Sequence, residues 1–180
     1  MNWVCRLLLV FSIVLQGCSS FSTQDPRDIE QHWQDQKVEM DIAGLANDRQ
    51  FTRSISANSI SLNGKVLLIG QATSAAAKTQ FGQQVKQIDN VKYLYNQLEV
   101  RPLLSLGDIS YDAWLTTKVK SQLIASKQLT GAVIQVISEG GQVYLLGYVT
   151  PRQKEIAINI ARNINGVKKV VTLFEPSQSR

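Results

Sequence analysis

The sequence contains few of the side chains on which enzymes depend. Its 180 residues include only two cysteines and one histidine, His32. It has no nucleophile motif, no glycine-rich phosphate loop and no cluster of histidines and cysteines, so neither acid–base nor metal chemistry has a set of groups to act through. We therefore predict that the protein is not an enzyme and has no catalytic residue, metal ligand, cofactor or small-molecule substrate.

The N-terminal residues have the composition of an export signal. Arg6 precedes an apolar run over residues 7–15, which is too short to span a bilayer as a permanent helix, and the letters LQGC follow. LQGC resembles a bacterial lipobox, whose final cysteine, here Cys18, becomes the acylated N-terminus of the mature chain. Cys5 leaves with the signal peptide, so the mature chain can form no internal disulfide. Two or three acyl chains, palmitate among them, anchor a protein stably. The residue after the cysteine is Ser19 and not aspartate, and in this the chain resembles lipoproteins that are sorted to the periplasmic leaflet of the outer membrane.

Positive charge is concentrated in the second half of the chain. Residues 18–100 carry 8 Lys/Arg and 9 Asp/Glu, whereas residues 101–180 carry 10 and 5. Such an asymmetry indicates either an anionic partner, nucleic acid or a membrane surface, or a basic surface that serves solubility alone. Export to the envelope favours an anionic phospholipid membrane and argues against nucleic acid.

Two stretches of the chain resemble each other. GKVLLIGQATSAAAKTQFGQQVKQIDNVKYLYNQLEV (64–100) aligns with GQVYLLGYVTPRQKEIAINIARNINGVKKVVTLFEP (141–176) when one extra residue is allowed in the first copy. Each copy contains a returning strand, a helix and a further strand, and each follows a β-rich run. The sequence therefore predicts two units of one fold, each with the element order α-β-β-α-β.

Short signals mark the turns and helix ends of these units. Asn63-Gly64 predicts a type I′ hairpin turn in the first unit. Thr150, Pro151 and Gln153 predict a capped helix start in the second unit. These signals support the assignment of a hairpin followed by a helix in both copies.

The opening helix of the first unit is less regular in sequence. Gly44 interrupts its apolar spacing, so we expect a shorter or looser helix there. His32 lies in the polar segment before it and is interpreted as a solvated residue. The carboxylates of this region are interpreted as part of a solvated linker: Asp25, Asp28, Glu30 and Asp35.

The central strands have two further features. Gly70 and Gly147 occupy the same place late in each second strand, and we interpret both as packing sites beneath a helix. Apolar side chains occupy both faces of residues 142–149, although a layer of two helices covers only one face. The second face is expected either to pack against the sister unit, which would make the two units one body, or to stay partly exposed.

The helix predicted over residues 110–126, SYDAWLTTKVKSQLIAS, has apolar residues on more than one face. At the helical period Leu115, Val119 and Leu123 form a core stripe. Trp114 lies roughly 130° from the centre of that stripe. It shares this side with a mixed group of residues: Thr117, Lys118, Lys120, Ser121 and Ile124. Trp114 either meets a membrane interface or packs against the first unit or the linker over 103–109.

These features carry a resemblance to a known family. The second strands GKVLLIG and GQVYLLG, the segments IDNVKYLYNQLEV and INGVKKVVTLFE, and the helix segment DAWLTTKVKSQL resemble BON domains of bacterial envelope proteins. Two such domains behind a lipobox are similar to the dual-BON-domain outer-membrane lipoproteins of the DolP/YraP type. The resemblance implies an α+β fold in which two helices pack on a three-stranded mixed sheet in each domain.

The resemblance also implies a function. The family is associated with outer-membrane integrity and the division site, and it binds anionic phospholipid through the first helix of the second domain. Carried onto this chain, the lipid-facing residues are those around Trp114, with Leu115, Lys118 and Lys120. The predicted phospholipid-binding set is completed by their neighbours Thr117, Ser121 and Ile124. Spacing alone places Leu115 toward the core. The alternative is a protein-interaction module that docks on outer-membrane assembly proteins through strand residues such as Tyr144 and Tyr148, with lipid contact incidental.

The expected organisation of the chain follows from these signals. We predict a signal peptide over 1–17, a lipidated N-terminus and polar linker over 18–36, a first BON domain over 37–101, a linker over 102–109, a second BON domain over 110–176 and a tail over 177–180. The mature protein is expected at the periplasmic leaflet of the outer membrane, held there by its lipid anchor.

Overall fold

A computed structural model describes residues 28–177 of the chain. The predicted signal peptide, the predicted lipidation site Cys18, Asp25 and residues 178–180 of the predicted tail lie outside the described residues. The helices, in chain order, are α1 (Ile29–Ala46), α2 (Ala75–Val85), α3 (Leu106–Ala125) and α4 (Pro151–Arg162), with a 3-10 turn at Lys127–Leu129. The strands are β1 (Ile55–Leu62), β2 (Lys65–Ala72), β3 (Tyr93–Asn96), β4 (Glu99–Val100), β5 (Val133–Glu139), β6 (Gln142–Val149) and β7 (Lys169–Pro176).

The strands form two mixed sheets, one in each half. In the first, β2 pairs antiparallel with β1 and parallel with both β3 and β4. In the second, β6 pairs antiparallel with β5 and parallel with β7. The predicted α+β fold is confirmed, with the order α-β-β-α-β in the second unit. The first unit has the same order followed by the short strand β4, so its sheet has four strands and not the predicted three.

The local turn and cap signals acted as predicted. Asn63 and Gly64 have φ values of 54° and 76°, as a type I′ turn requires at both central residues. Thr150 and Gln153 form both hydrogen bonds of a capping box at the start of α4, with Pro151 in the first turn.

The first helix, α1, is longer than its sequence predicts. It spans 18 residues and begins within the segment expected to be a linker, so the expectation of a shorter or looser helix is wrong. Asp28 caps its N-terminus by accepting a 2.7 Å hydrogen bond from a first-turn backbone N–H. Gly44 is tolerated on the exposed side of the helix. The apolar buried face is supplied by residues at helical spacing: Val38, Ile42 and Ala46.

A buried aspartate joins the first helix of each unit to its hairpin turn. Asp112 of α3 accepts hydrogen bonds from the backbone N–H groups of Gly140 (2.7 Å) and Gly141 (3.1 Å). Asp35 of α1 has the same place in the first unit and accepts from the β1–β2 turn, through Ser61 Oγ (2.7 Å), Asn63 N (2.8 Å) and Gly64 N (3.0 Å). Both carboxylates are buried, so the interpretation of Asp35 as part of a solvated linker is wrong.

The two strand glycines have a different role from the one predicted. Gly70 and Gly147 have φ values of +127° and +140°. A Cβ atom at either position would run into the backbone carbonyl of the neighbouring strand, at Ser56 and at Val133. The close approach therefore comes from the paired strand and not from a helix above the sheet.

Three apolar clusters fill the interior. One lies between α1, α2 and the first sheet, and a second between α3, α4 and the second sheet. A third joins the opposite faces of the two sheets and contains the buried residues Ile60, Leu67, Ile69, Tyr144 and Leu146. The sheets thus pack face to face with a helical layer on each outer side, and the expectation that the two units form one body is confirmed. Because Tyr144 is buried in this contact, it is not an exposed docking residue.

Polar contacts border the packed sheets. Lys65 Nζ of β2 lies 2.5 Å from the Glu175 carboxylate of β7. Gln71 of β2 donates a hydrogen bond to Glu139 of β5, and the Arg101 guanidinium lies 3.6 Å from the same carboxylate. Burial raises the pKa of Glu139, and the nearby Asp112 carboxylate raises it further, whereas Gln71, Arg101 and Asn58 lower it.

Glu139 is expected to make the free energy of unfolding depend on pH. Its pKa in the folded protein is raised above the ordinary value of 4.5. Its contribution to stability is therefore fully present below the unfolded pKa and is lost as pH rises through the folded pKa. Urea unfolding across this pH range should show stability falling with increasing pH, and Glu139→Gln should flatten that fall. The exposed Glu155→Gln is the control, and an equal slope in Glu139→Gln and the unmodified protein would contradict the assignment.

Candidate functional site

The helix α3 begins one turn earlier than predicted. It starts at Leu106 and not at residue 110, because Ser105 and Asp108 form a capping box. Asp108 Oδ2 accepts a 2.6 Å hydrogen bond from Ser105 Oγ, and this contact holds the pKa of the Asp108 carboxyl below its usual range. Part of the segment interpreted as a linker is therefore the first turn of α3.

The inner face of α3 belongs to the core of the second unit. Leu115, Val119 and Leu123 are buried there, as the helical spacing predicts. Leu115 has 0% of its side chain exposed. A side chain enclosed in this way cannot reach lipid, so its assignment as a lipid-facing residue is corrected and the spacing argument holds.

Trp114 points away from the core on the outer side of α3. Its side chain is 50% exposed, its ring centroid lies 5.5 Å from that of Tyr111, and Lys118 Nζ lies 4.6 Å from the centroid of the indole ring. Its described ring and cation contacts are thus to its own helix. Half of the Trp114 side chain is therefore accessible at the outer surface of α3.

The remaining outward residues complete a mixed apolar and basic surface. Ile124 is 76% exposed, and Lys120 is exposed at the edge of the helix. Thr117 Oγ1 donates to the Ala113 carbonyl at 3.0 Å, and Ser121 Oγ donates to the Thr117 carbonyl at 2.9 Å. We call this surface the Trp114 face, and it consists of Tyr111, Trp114, Thr117, Lys118, Lys120, Ser121 and Ile124.

Sequence reasoning missed one member of the Trp114 face. Tyr111 was not among the residues predicted to share the side of Trp114, yet it is 46% exposed with its ring beside Trp114. Its hydroxyl end lies against Gly166, where a Cβ atom would collide with it. The i, i+3 spacing of the two aromatic residues is the sequence signal that indicates their contact.

A polar groove lies beside Lys118. It has a volume of about 680 Å³ and runs between α3 and α4. Side-chain amides dominate its walls, and no carboxylate lines it; the amide residues are Gln122, Gln128, Asn159, Asn163 and Asn165. Since residues 113–138 contain no Asp or Glu, the positive charges of Lys118 and Lys120 have no nearby acidic side chain on their own helix.

The described residues offer little for metal or transmembrane roles. Within residues 28–177, no group of three His, Cys, Asp or Glu side chains is placed to hold a metal ion. No helix in this part of the chain has both the length and the hydropathy required to cross a bilayer. The Trp114 face presents an aromatic pair, an exposed aliphatic side chain and two cations, a combination suited to binding.

The repeated unit defines the class of domain to which each half of the chain belongs. A family model described as the BON domain matches residues 34–102 and 111–175. The chain therefore belongs to the BON domain family, with two copies of the domain.

Two curated relatives align with most of this chain. The chain is 36% identical to the outer membrane lipoprotein DolP of Haemophilus influenzae, over 94% of this chain and 93% of that protein. It is 35% identical to a 21 kDa hemolysin of Actinobacillus pleuropneumoniae, over 83% of this chain and 78% of that protein. Among solved structures, the C-terminal domain of CdsD from Chlamydia trachomatis matches at a TM-score of 0.31 and 14% identity, covering 76% of this chain and 96% of that one. The protein is an outer-membrane, lipid-anchored lipoprotein of the dual-BON type, and this membership points to a non-catalytic protein.

Proposed function

We propose that the lipoprotein binds anionic phospholipid through the Trp114 face and in this way supports envelope integrity, including at the division site. The observation that carries the proposal is the exposed indole of Trp114 with the Lys118 ammonium over its ring. The lipid anchor predicted at Cys18 would supply residence at the membrane. The Trp114 face would then supply lipid preference and orientation.

The composition of the Trp114 face suits a bilayer interface. Indole and phenol rings favour the headgroup region, where the apolar ring is shielded and the polar atom stays hydrogen-bonded. Lys118 and Lys120 would meet anionic headgroups, at about 1 kcal/mol for each lysine near the surface. The amide-lined groove beside Lys118 offers donors to a headgroup without a competing carboxylate.

The hydroxyl groups on this face add little cost to membrane contact. Thr117 and Ser121 already donate to carbonyls of their own helix. Moving a polar group out of water is costly mainly when its hydrogen bond is lost. These two residues can therefore enter the interface with their donors satisfied, beside Trp114 and Ile124.

Removing the aromatic or basic groups of the Trp114 face should weaken binding to anionic vesicles. The full mature chain carrying Cys18→Ser, which lacks the acyl anchor, is sedimented with phosphatidylglycerol-containing vesicles and with neutral phosphatidylcholine vesicles. Lys118→Gln combined with Lys120→Gln should lower partitioning into anionic vesicles by about thirtyfold, from the loss of two charge contacts. Trp114→Ala should lower it by about tenfold through lost apolar contact.

Matched variants separate lipid binding from folding and from bulk charge. Arg152→Gln combined with Lys154→Gln removes two exposed charges from the start of α4 and should leave binding nearly unchanged. Trp114→Ala should cost only about 1 kcal/mol of stability, since its contacts are a surface aromatic pair and a cation. No preference for anionic vesicles, or equal losses in the two double-charge variants, would refute the proposal.

A further inference from the structure

A second exposed apolar surface lies on α1. Ile29, Trp33 and Met40 are 74%, 69% and 72% exposed. Their spacing of four and seven residues places them on one side of the helix. The buried residues of α1, which include Val38 and Ile42, lie on the opposite side. We call the three exposed residues the α1 stripe.

Lys37 and Glu30, beside the α1 stripe, each have a polar partner within the helix. Lys37 Nζ lies 3.9 Å from the Asp41 carboxylate, one turn away. Gln34 Nε2 donates to the Glu30 carboxylate at 3.3 Å. The stripe therefore has no surplus of positive charge, in contrast to the Trp114 face, and any membrane contact it makes would not depend on anionic lipid.

The position of the stripe in the chain brings it to the membrane. Asp28, which caps α1, lies ten positions after Cys18 in the chain. A chain of that length spans at most about 35 Å. An acyl anchor at Cys18 therefore confines the N-terminal end of α1, and Ile29 and Trp33 with it, to the neighbourhood of the bilayer.

The two apolar surfaces lie on opposite sides of the molecule. α1 covers the outer face of the first sheet, α3 covers the outer face of the second, and the sheets pack against each other between them. Sheets pack about 10 Å apart and each helix is about 10 Å across, so α1 would be roughly 30 Å above a bilayer on which α3 lies flat. That separation is close to the limit of about 35 Å for a chain of this length, and holding any chain near its limit costs conformational entropy. With α1 against the bilayer, this cost does not arise.

We propose that the α1 stripe is a second bilayer contact, made when the membrane lacks the negative charge that the Trp114 face requires. Moving large exposed apolar side chains close to an anchor from water into the bilayer interface lowers the free energy. One flat bilayer meets either the α1 stripe or the Trp114 face, and lipid charge decides between the two orientations. Contact of the α1 stripe with a neutral bilayer depends on lipidation at Cys18 and not on the Trp114 face, whereas the choice between the two orientations rests on the proposed function of that face.

The tryptophans of the mature chain allow a direct test. The sequence has three, and Trp3 lies in the predicted signal peptide, so Trp33 and Trp114 remain. Trp114→Phe leaves Trp33 as the only fluorophore, and Trp33→Phe leaves Trp114. The full lipidated protein is reconstituted into vesicles whose phosphatidylcholine or phosphatidylglycerol carries brominated acyl chains, which quench an indole in contact with them.

The α1 stripe should be quenched in neutral vesicles. We expect brominated phosphatidylcholine to halve the fluorescence of Trp33, roughly, and to affect Trp114 much less. Brominated phosphatidylglycerol vesicles should reverse this order if the Trp114 face also functions as proposed. Ile29→Gln combined with Met40→Gln, which changes only exposed side chains, should lower the quenching of Trp33 to that of an exposed tryptophan outside both surfaces.

The control is an indole away from both surfaces. Thr73→Trp, in a chain without the two native tryptophans, reports the quenching of an exposed residue between β2 and α2. Quenching of Trp33 in neutral vesicles no greater than this control would overturn the proposal. Shielding of Trp33 from aqueous acrylamide without bromine quenching would also overturn it, since a protein or a second copy would then cover the stripe. Whether the Trp114 face binds lipid is measured separately, by the bromine quenching of Trp114 fluorescence in anionic vesicles.

Discussion

Gly147→Ala is expected to lower the free energy of unfolding by about 4 kcal/mol. Gly147 has a φ of +140°, and a Cβ atom there would collide with the Val133 carbonyl of β5. Relief of the collision requires β5 and β6 to separate, and these strands carry the core of the second unit on one face and the contact between sheets on the other. Urea unfolding followed by circular dichroism measures the loss.

Two other glycines calibrate this result. Gly70→Ala has the same geometry against Ser56 in the first unit and should cost a similar amount. Gly44→Ala is the matched control, because no neighbouring atom lies within 4 Å of its added Cβ. Alanine in an exposed helix is favoured over glycine by about 1 kcal/mol, so this change should stabilise the protein. An unfolding midpoint of Gly147→Ala equal to that of the unmodified chain would show that the strand pairing is wrong.

Asp112→Ala is expected to cost about 3 kcal/mol of stability. The Asp112 carboxylate accepts from the N–H groups of Gly140 and Gly141, and the change leaves both without their partner at the buried turn. Asp112→Asn keeps one acceptor oxygen, so it should lose less. Thermal and urea unfolding of the two variants measure the difference, and the exposed Asp41→Ala on α1 should lose far less than either.

The same substitution bears on lipid binding. Asp112 lies two residues before Trp114 and holds the N-terminal half of α3 against the hairpin turn between β5 and β6. We expect Asp112→Ala to weaken binding to anionic vesicles even at temperatures where it remains folded, because the Trp114 face loses its fixed position. Asp35→Ala, at the equivalent site in the first unit, should lose comparable stability while leaving α3 in place. Equal lipid binding by Asp112→Ala and the unmodified chain would show that the contact between Asp112 and the hairpin turn does not position the Trp114 face.

Local sequence signals predicted most of the elements because they act over a few residues. Asn63-Gly64 requires two positive φ values wherever it forms a two-residue hairpin, and the Thr150 capping box satisfies donors within one turn. The first turn of α3 was missed although Ser105 and Asp108 have the same kind of spacing. The length of α1 was underestimated because Gly44 was interpreted as an interruption, whereas it lies on the exposed side and leaves the buried residues Val38 and Ile42 in register.

Part of the candidate site was also predictable from local sequence, and part was not. Helical spacing alone placed Leu115 in the core and Trp114 outside it, and the structure agrees with the spacing on both. Tyr111 lies on the border of the two faces, where spacing cannot decide. Its side chain turns outward because Gly166 and Trp114 leave room for the ring there. Trp114 is near Tyr111 in the sequence, whereas Gly166 is distant.

By itself the sequence determined the repeat, the order of elements, the basic second half and the outward side of α3, all of which follow from periodicity and short-range chemistry. Only the tertiary structure decided that Tyr144 is covered by the sister sheet, that Asp35 is buried at a hairpin and that the α1 stripe and the Trp114 face point in opposite directions. Each of these depends on contacts between residues far apart in the chain. Two apolar sheet faces look alike in a local pattern, and it is the packing of one sheet against the other that determines which surfaces remain for a membrane.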